Sequence, residues 1–291
     1  MAKAHRLEWA LLFLTGAFFG QVVIVSLRLQ PDMKPEWKTS FLGDERTIPN
    51  TNSTTTKKKK RRKKHKWDPG LDGLGGDPVP LKVGLPIFVP SLPKCGTTSL
   101  WQYFQCGGHV SSHQWVKLNE TYSIQTGQCV AENLVKGKKP FEDCGDYQVF
   151  TDTGYATYKK PFGSQCFYPS IDALDEIHQS YPNVTFVMVV RDTQQWYNSM
   201  ESWGEGSLLN RWRPCNTTRM PGFRATAKDF MDFYDWHTEN IRQFVQRKGI
   251  RYIEVQLESN ETGEILEREV GIPSKCWAKC TPYSKFCQKA G

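Results

Sequence analysis

The apolar run from Val184 to Val190 is the feature that most restricts the folds open to this chain. Its seven residues are almost all β-branched or large and apolar, which is the pattern of a buried strand. Apolar runs at 83–89 and 250–257 predict two further strands, with helical segments between the three. Strands that alternate with helices favour an α/β fold, in which helices flank a parallel β-sheet.

Helix-forming patterns fill the segments between and after these strands. The sequence predicts a globular domain over 81–291, a size that suits one α/β domain. Ser170 is predicted to be an N-cap, and Gly249 is predicted to close the longest helix. The predicted helices span 96–105, 171–180, 193–203, 225–248 and 265–270.

The amino-terminal region has the composition of a membrane anchor followed by a stem. Residues 9–27 contain no charged side chain, and as a helix they would be roughly 28 Å long, near the thickness of a hydrocarbon core. No signal-peptidase site follows, so we expect an uncleaved signal anchor, with residues 1–8 as a cytoplasmic tail. Residues 28–80, rich in Gly, Pro and charge, are predicted to be a disordered stem.

The net charge of +8 comes mainly from one tract. Residues 57–66 hold nine lysines and arginines, and the rest of the chain is nearly neutral. A general nucleic-acid-binding protein is therefore not favoured. The tract is interpreted first as a solvated spacer. The alternative is a patch for anionic glycans or lipid head groups, and the preceding anchor argues against a nuclear signal.

Sequons and cysteines predict a secretory location for the bulk of the chain. All nine cysteines lie after residues 9–27, which suits an oxidising compartment. Cys95 is expected to be free, because a disulfide would disturb its loop, and the other eight permit four bridges of open connectivity. The late cysteines fit no common zinc spacing, and no metal is expected. Glycosylation sequons, also all after the anchor, occur at Asn52, Asn119, Asn183, Asn216 and Asn260.

The sharpest motif is Leu-Pro-Lys-Cys-Gly-Thr-Thr-Ser-Leu at 92–100. It follows a predicted strand and opens a helix, so backbone N–H groups and the positive helix end point at one anion site. Lys94 adds a charge, Gly96 permits a close backbone approach, and three hydroxyl residues follow it. The Gly-Lys-Ser/Thr of nucleotide triphosphatases is absent. The alternative is an ordinary turn that caps a helix.

A second motif lies at the end of the 184–190 strand. Arg191 follows that strand, and Ser199 comes eight residues later on the next predicted helix, an arrangement that can grip a phosphate. By itself, Arg191 beside Asp192 is better explained by a surface ion pair, and the phosphate site is favoured only when this motif is taken together with the first.

The two motifs together resemble those of the PAPS-dependent sulfotransferase family. Its phosphosulfate-binding loop is typically Pro-Lys-x-Gly-Thr-Thr-x-Leu, and its Arg and Ser hold the 3′-phosphate of the donor PAPS (3′-phosphoadenosine 5′-phosphosulfate). The resemblance covers about residues 83–273. It implies a P-loop-like sulfotransferase fold, the product PAP (3′,5′-adenosine bisphosphate), and donor contacts from Lys94, Cys95, Gly96, Thr97, Thr98, Ser99, Arg191 and Ser199.

In this family the general base is a His or Glu in the segment after the loop helix. His113 is the preferred base, because its intrinsic pKa is near neutral, although a structural histidine is an equal alternative. Lys94 and His113 are thus the expected catalytic residues. Glu120 ranks second because a glycan on the Asn119 sequon could block it. His109 ranks third because the glycine pair before it indicates a turn. The full set of candidates is His109, His113, Glu120, Asp146 and Asp152.

The resemblance implies an enzyme that moves a sulfuryl group from PAPS to an acceptor without a metal. The acceptor is expected to be a carbohydrate or glycoprotein, with hydroxyl or amine, and sugar or tyrosine, left open. Stretches 144–147 and 166–169 are similar to membrane-anchored sulfotransferase-like proteins of unicellular algae. The expected protein is a single-pass type II Golgi membrane glycoprotein with a lumenal catalytic domain. The alternative is a non-catalytic membrane glycoprotein that keeps the fold as a nucleotide- or glycan-binding module.

Overall fold

The computed structural model describes residues 77–159, 163–215 and 219–278. The predicted anchor at 9–27 and most of the predicted stem at 28–80 lie outside these ranges. Within them, no helix has both the length and the apolar character needed to cross a bilayer.

Parallel strands form the central sheet of the described domain, in the order β2-β5-β1-β8-β9, as expected for an α/β fold. Two antiparallel hairpins, β3–β4 and β6–β7, lie outside that sheet. The strands are β1 (Ile87–Phe88), β2 (Ser111–Ser112), β3 (Trp115–Lys117), β4 (Ser123–Gln125), β5 (Val149–Phe150), β6 (Tyr155–Lys159), β7 (Gly163–Phe167), β8 (Thr185–Val190) and β9 (Arg251–Gln256).

Helices lie between and after these strands. They are α1 (Thr97–Cys106), α2 (Thr126–Val135), α3 (Pro169–Asp172), α4 (Leu174–Ser180), α5 (Thr193–Ser202), α6 (Ser207–Trp212), α7 (Ala227–Lys248) and α8 (Thr262–Val270), followed by a 3₁₀ turn at Ser274–Cys276.

The strand β8 is buried on both faces, as its continuous apolar sequence predicts. Phe186 and Met188 pack into one core cluster, which includes Phe244 of α7. Val187 and Val189 pack into the cluster on the other face, with residues of α1 and α8. Alternate side chains of a strand point to opposite faces, so this one strand joins two hydrophobic layers.

The predicted helix bounds hold best where capping residues are present. Thr226 and Asp229 form a capping box at the start of α7, and Gly249 ends it in the left-handed conformation, as the glycine predicts. The predicted N-cap Ser170 is wrong. It lies inside the short α3, which starts at Pro169, and the chain then bends at Ala173 before α4. Proline favours the first turn of a helix, so α3 begins two residues earlier than predicted.

Three disulfides are present among the described residues: Cys106–Cys276, Cys129–Cys144 and Cys166–Cys215. Cys95 is free and buried there, as expected from its position in the loop. Cys280 and Cys287, which would complete a fourth pair, lie outside the described residues. The three bridges indicate a secretory or extracellular environment, because such bonds persist where the medium is oxidising.

The bridges that close the longest and the shortest loop should differ in their effect on stability. Cys106–Cys276 spans 170 residues, whereas Cys129–Cys144 spans 15. Because a crosslink restricts the unfolded chain more when its loop is longer, we expect alanine replacement of the first pair to lower the free energy of unfolding by about 5 kcal/mol and of the second by about 3 kcal/mol. Urea unfolding of the two double variants measures both. Equal losses, or a larger loss for the short loop, would contradict this ordering.

Candidate functional site

Polar and charged residues follow every strand of the parallel sheet at the edge where the strands end. In open α/β sheets this edge is where ligands bind. The residues that follow the five strands there are Lys94 after β1, His113 after β2, Asp152 after β5, Arg191 after β8 and Glu258 after β9.

The loop between β1 and α1 presents backbone N–H groups at this edge. The first intrahelical bond of α1 runs from the N–H of Leu100 to the carbonyl of Gly96 at 3.1 Å, and no side chain caps the helix. The N–H groups of Thr97 and Thr98 therefore have no acceptor within the helix. Together with the positive end of α1 they can bind an anion.

The glycine of this loop is required by its conformation and its packing. Gly96 has φ of 89°, in the left-handed region, and a Cβ atom there would lie 2.6 Å from Cδ1 of Leu257. The side on which a Cβ would stand therefore faces the core. The glycine lets the backbone turn tightly against Leu257 and so sets the direction of the N–H groups that follow.

Aromatic residues from two helices that are distant in sequence, α5 and α7, pack against the loop and hydrogen-bond to it. The indole Nε1 of Trp196 donates to the carbonyl of Pro93 at 2.9 Å. Tyr234 of α7 stacks on Trp196, with ring centroids 4.6 Å apart, and its hydroxyl accepts from the backbone N–H of Arg191 at 3.0 Å. No local sequence pattern indicates these contacts, because each joins residues far apart along the chain.

Two further hydrogen bonds fix the first part of the loop. The hydroxyl of Ser91 accepts from the N–H of Val189 at 2.8 Å, and Nε2 of the wholly buried His237 lies 2.9 Å from the carbonyl of Pro90. Burial lowers the pKa of His237 to about 4. The ring is therefore neutral at pH 7 and donates its Nε2 proton to that carbonyl.

Arg191 connects the loop to the ends of β8 and β9. Its Nη1 donates to the carbonyl of Lys94 at 3.1 Å, and its Nη2 pairs with Oε1 of Glu258 at 2.8 Å. Its Nε atom is buried and has no hydrogen-bond partner among the described residues. Asp192 does not pair with Arg191 but caps α5 by accepting from the N–H of Gln195 at 2.9 Å. The alternative of a surface ion pair between Arg191 and Asp192 is therefore not seen.

The other residues predicted to contact the donor PAPS differ in how far their side chains are buried. Cys95 is buried with its Sγ 3.8 Å from the hydroxyl of Tyr234, and burial raises its pKa to about 12, so it can offer only its backbone. Thr97 and Ser99 are also buried. Ser199 is half-buried on α5, two turns beyond Arg191.

Lys94 is half-buried at the turn of the loop. Its Nζ lies 5.9 Å from the ring centroid of Trp203. Burial lowers the pKa of the ammonium group, Asp152 opposes this change, and Arg191 adds to it. The loop thus holds a cation in a partly desolvated position, where it acts more strongly on a bound anion than it would in water.

His113 and Asp152 come together beside the first turn of α1. Nε2 of His113 is 3.2 Å from the hydroxyl of Thr98 and 3.6 Å from Oδ2 of Asp152. The side chains of His113 and Asp152 are each 17% exposed. Burial lowers the pKa of His113, Asp152 opposes this shift, and Lys94 adds to it. A neutral imidazole near neutral pH follows, with a carboxylate beside the nitrogen that would take up a proton.

The other base candidates lie elsewhere. Both ring nitrogens of the buried His109 are engaged, Nδ1 with Oε1 of Gln148 at 3.0 Å and Nε2 with the carbonyl of Val79 at 2.8 Å. Glu120 is exposed in the β3–β4 turn, and Asp146 is exposed before β5. Of the five candidates, the structure places only His113 and Asp152 close to Lys94.

A cavity of about 340 Å³ adjoins Arg191 between the ends of β8 and β9 and the helix α7. Tyr234, Thr238, Arg242 and Gln256 contribute to its largely polar wall. It lies on the same edge of the sheet as the loop, so the edge offers space as well as charged groups.

Comparison with known proteins identifies the family. The family model described as Sulfotransferase domain matches residues 86–262, which is more than half of the chain and includes the central sheet with both motifs. No match was found among curated proteins. The loop after β1, Arg191 after β8 and the five-stranded parallel sheet fit this assignment, and the chain belongs to the Sulfotransferase domain family.

Proposed function

We propose that the protein is a sulfotransferase that moves the sulfuryl group of PAPS to a hydroxyl or amine of a glycan. The observation that carries this proposal is the convergence of two cationic side chains and unpaired helix N–H groups at one edge of the sheet. Lys94 and Arg191 are joined there through the carbonyl of Lys94. A donor with phosphate at both its 5′ and 3′ positions needs two such anion-binding groups.

The donor would use the loop for its phosphosulfate and Arg191 for its 3′-phosphate. The buried Nε of Arg191, which has no partner among the described residues, is a donor suited to a phosphate oxygen. The Arg191–Glu258 ion pair opposes phosphate binding, because the carboxylate of Glu258 would repel a phosphate beside it. Donor binding therefore involves release of Glu258 from the guanidinium. Ser199 on α5 would contribute a hydroxyl to the same phosphate.

The acceptor oxygen or nitrogen would be activated by His113. The acceptor atom attacks the sulfur of PAPS as its proton passes to Nε2 of His113. The bond between sulfur and the bridging oxygen of PAPS breaks, and that oxygen leaves with PAP. Lys94 and the N–H groups of α1 stabilise the negative charge that develops on the departing phosphate. Asp152, 3.6 Å from Nε2, stabilises the imidazolium ion that forms.

We further propose that the domain is lumenal in the Golgi and held there by the 9–27 segment as a type II anchor. The three disulfides support an oxidising compartment. Asn119, Asn183 and Asn260 are exposed, so each offers a surface position for a glycan.

Loss of the Lys94 ammonium should remove transfer. We expect Lys94→Ala to lower the rate of transfer from PAPS by at least about 10²–10³-fold, because the charge on the leaving phosphate loses its nearest cation. Lys136→Ala, at an exposed position after α2, is the matched control and should match the parent. The measurement is release of PAP with a mixed glycan acceptor. A parent that binds PAP yet transfers nothing would support the binding-module alternative instead.

The pH profile should report on His113 and its neighbour. His113 must be neutral to accept a proton, so kcat/KM should rise with pH through a limb centred below the ordinary histidine pKa of about 6.5. His113→Ala should lower turnover about 10²–10⁴-fold and abolish this limb. Asp152→Asn removes the group that raises the pKa of His113, so the limb should move to still lower pH. If Asp152→Asn alone abolishes the limb, the carboxylate is the base and the assignment of His113 is wrong.

Glycosidase treatment tests the orientation. Protein expressed in cells should lose apparent mass on removal of N-linked glycans, because all five sequons lie after the predicted anchor. Replacement of Asn119 by Gln should reduce the number of glycans by one. An unchanged mass, together with cleavage by protease added from the cytosolic side, would contradict a lumenal domain.

A further inference from the structure

Lys94 lacks the close ion pair that normally accompanies a half-buried ammonium group. In the part of the chain that the structure describes, no carboxylate lies within 4.0 Å of its Nζ. A lysine side chain has four rotatable carbons and does not stay in one position by itself. Another group must therefore hold the ammonium at the loop and favour its charged form.

The ring of Trp203 faces this ammonium group. Nζ of Lys94 lies 5.9 Å from the ring centroid, within the distance at which a cation is attracted to the negative face of an aromatic ring. Tryptophan offers the most favourable ring for this contact. Trp203 is half-buried, so water screens the attraction only in part.

An unusual stretch of backbone sets the place of this ring. Trp203 ends α5 in an extended conformation, and the three residues after it all have positive φ: 54° at Gly204, 56° at Glu205 and 78° at Gly206. A Cβ atom at Gly204 would lie 2.6 Å from Oγ of Ser207, so glycine is required there. The left-handed conformation is unfavourable for Glu205, and such backbone persists where the surrounding structure holds a functional group in position.

Arg211 of α6 packs on the same ring. Its guanidinium carbon lies 5.1 Å from the ring centroid of Trp203, and its Nε donates to the carbonyl of Ser207 at 3.3 Å. The hydrogen bond restricts the guanidinium, and the guanidinium in turn restricts rotation of the indole. Trp203 is therefore held by its backbone and by a neighbour, which is what a residue that positions another requires.

The charges around Lys94 do not replace the contact with the ring. Burial is the main cause of its lowered pKa, Asp152 opposes the change, and Arg191 adds to it. The one carboxylate that raises its pKa is therefore outweighed. The charged or titratable groups around this end of the sheet are His113 after β2, Asp152 after β5, Arg191 after β8, Glu258 after β9, and Glu201, Glu205 and Arg211 from α5, the α5–α6 connection and α6.

We propose that Trp203 is a positioning residue, whose ring holds the Lys94 ammonium group beside the loop and favours its charged form. Its effect on transfer rests on the proposed function, in which Lys94 acts on the departing phosphate. A cation that is already charged and in place needs no reorganisation as negative charge develops. Trp203 acts through Lys94, and not by contact with the donor or the acceptor.

Fluorinated tryptophans placed at position 203 alone test this proposal. Each added fluorine weakens the negative face of the ring and leaves its size almost unchanged. We expect kcat for transfer from PAPS to fall with each fluorine, by about 3–10-fold in total for a trifluorinated ring. KM for PAPS should change less than about 2-fold, because Arg191 and the N–H groups of α1 still bind the donor.

The charge state of Lys94 provides a second measurement. A weaker attraction disfavours the charged form, so the pKa of Lys94, followed by NMR of isotope-labelled lysine, should fall as fluorine is added. Because Lys94 acts when protonated, the alkaline limb of kcat should move to lower pH in the same order. Comparison with Lys94→Arg identifies the signal of Lys94.

The matched control is the same fluorinated series at Trp236 of α7, whose ring lies 5.6 Å from the guanidinium carbon of Arg219. Fluorine there should leave kcat and the pKa of Lys94 as in the parent. Among natural side chains, Trp203→Phe keeps an aromatic face and should retain more turnover than Trp203→Leu.

Two results would overturn the proposal. A kcat that does not depend on fluorine would show that Trp203 only fills space, and a rise in KM for PAPS at constant kcat would place its ring on the donor. If the parent transfers nothing and the pKa of Lys94 still falls with fluorine, the contact stands and the proposed function fails. Normal transfer with no response of that pKa is the reverse outcome, so the two failures are distinguishable.

Discussion

The hydrogen bond from Arg191 to the carbonyl of Lys94 holds the proposed site together. It spans 3.1 Å between residues 97 positions apart and joins the ends of β1 and β8, which are neighbours in the sheet. Lys94 itself has φ of 71°. This left-handed conformation is unfavourable for a residue with a side chain unless its surroundings stabilise it. Trp196 and Tyr234 stabilise the same turn through hydrogen bonds, the first to the carbonyl of Pro93 and the second to the backbone N–H of Arg191. The direction of the N–H groups of α1 depends on all of these contacts.

Glu258 and the proposed donor phosphate would compete for the guanidinium of Arg191. A half-buried guanidinium needs a counter-charge, and Glu258 supplies one from the end of β9. A donor phosphate would supply a stronger one and would displace the carboxylate. In the proposed function, the ion pair therefore competes with the donor and would lower the net gain in free energy when a donor binds. His113 and Asp152 form a second pair at the same edge, in which the carboxylate would stabilise the charge that the proposed proton transfer creates.

The parts of the fold that follow from the sequence are those with a local pattern. The apolar run of β8, the Gly249 stop of α7 and the motif around Gly96 each occupy consecutive residues whose chemistry points to one conformation. The strands β2 and β5 were not predicted, because two residues such as Ser111–Ser112 show no periodicity that would mark a strand. Three β-strands of the sheet were therefore predicted where five are present.

The site divides in the same way. Lys94 and Arg191 could be chosen from motif and spacing, and His113 from its near-neutral intrinsic pKa in the segment where the family resemblance places the base. The contacts of Trp196 with Pro93 and of Glu258 with Arg191 could not, because they depend on which strand ends become neighbours. Asp152 was one of five candidates, and only the position of β5 between β2 and β1 sets it beside His113.

The most direct test of the account is the affinity of the domain for PAP and for adenosine 5′-phosphate, which lacks the 3′-phosphate. Calorimetric titration of the parent and of Arg191→Ala with both nucleotides gives a ratio that cancels any general disturbance of the loop. The account predicts that the parent prefers PAP by about 10–100-fold, the effect of a charged hydrogen bond, and that Arg191→Ala removes most of this preference. An undiminished preference for PAP in the variant, or equal binding of both nucleotides by the parent, would contradict a donor site built on Lys94 and Arg191.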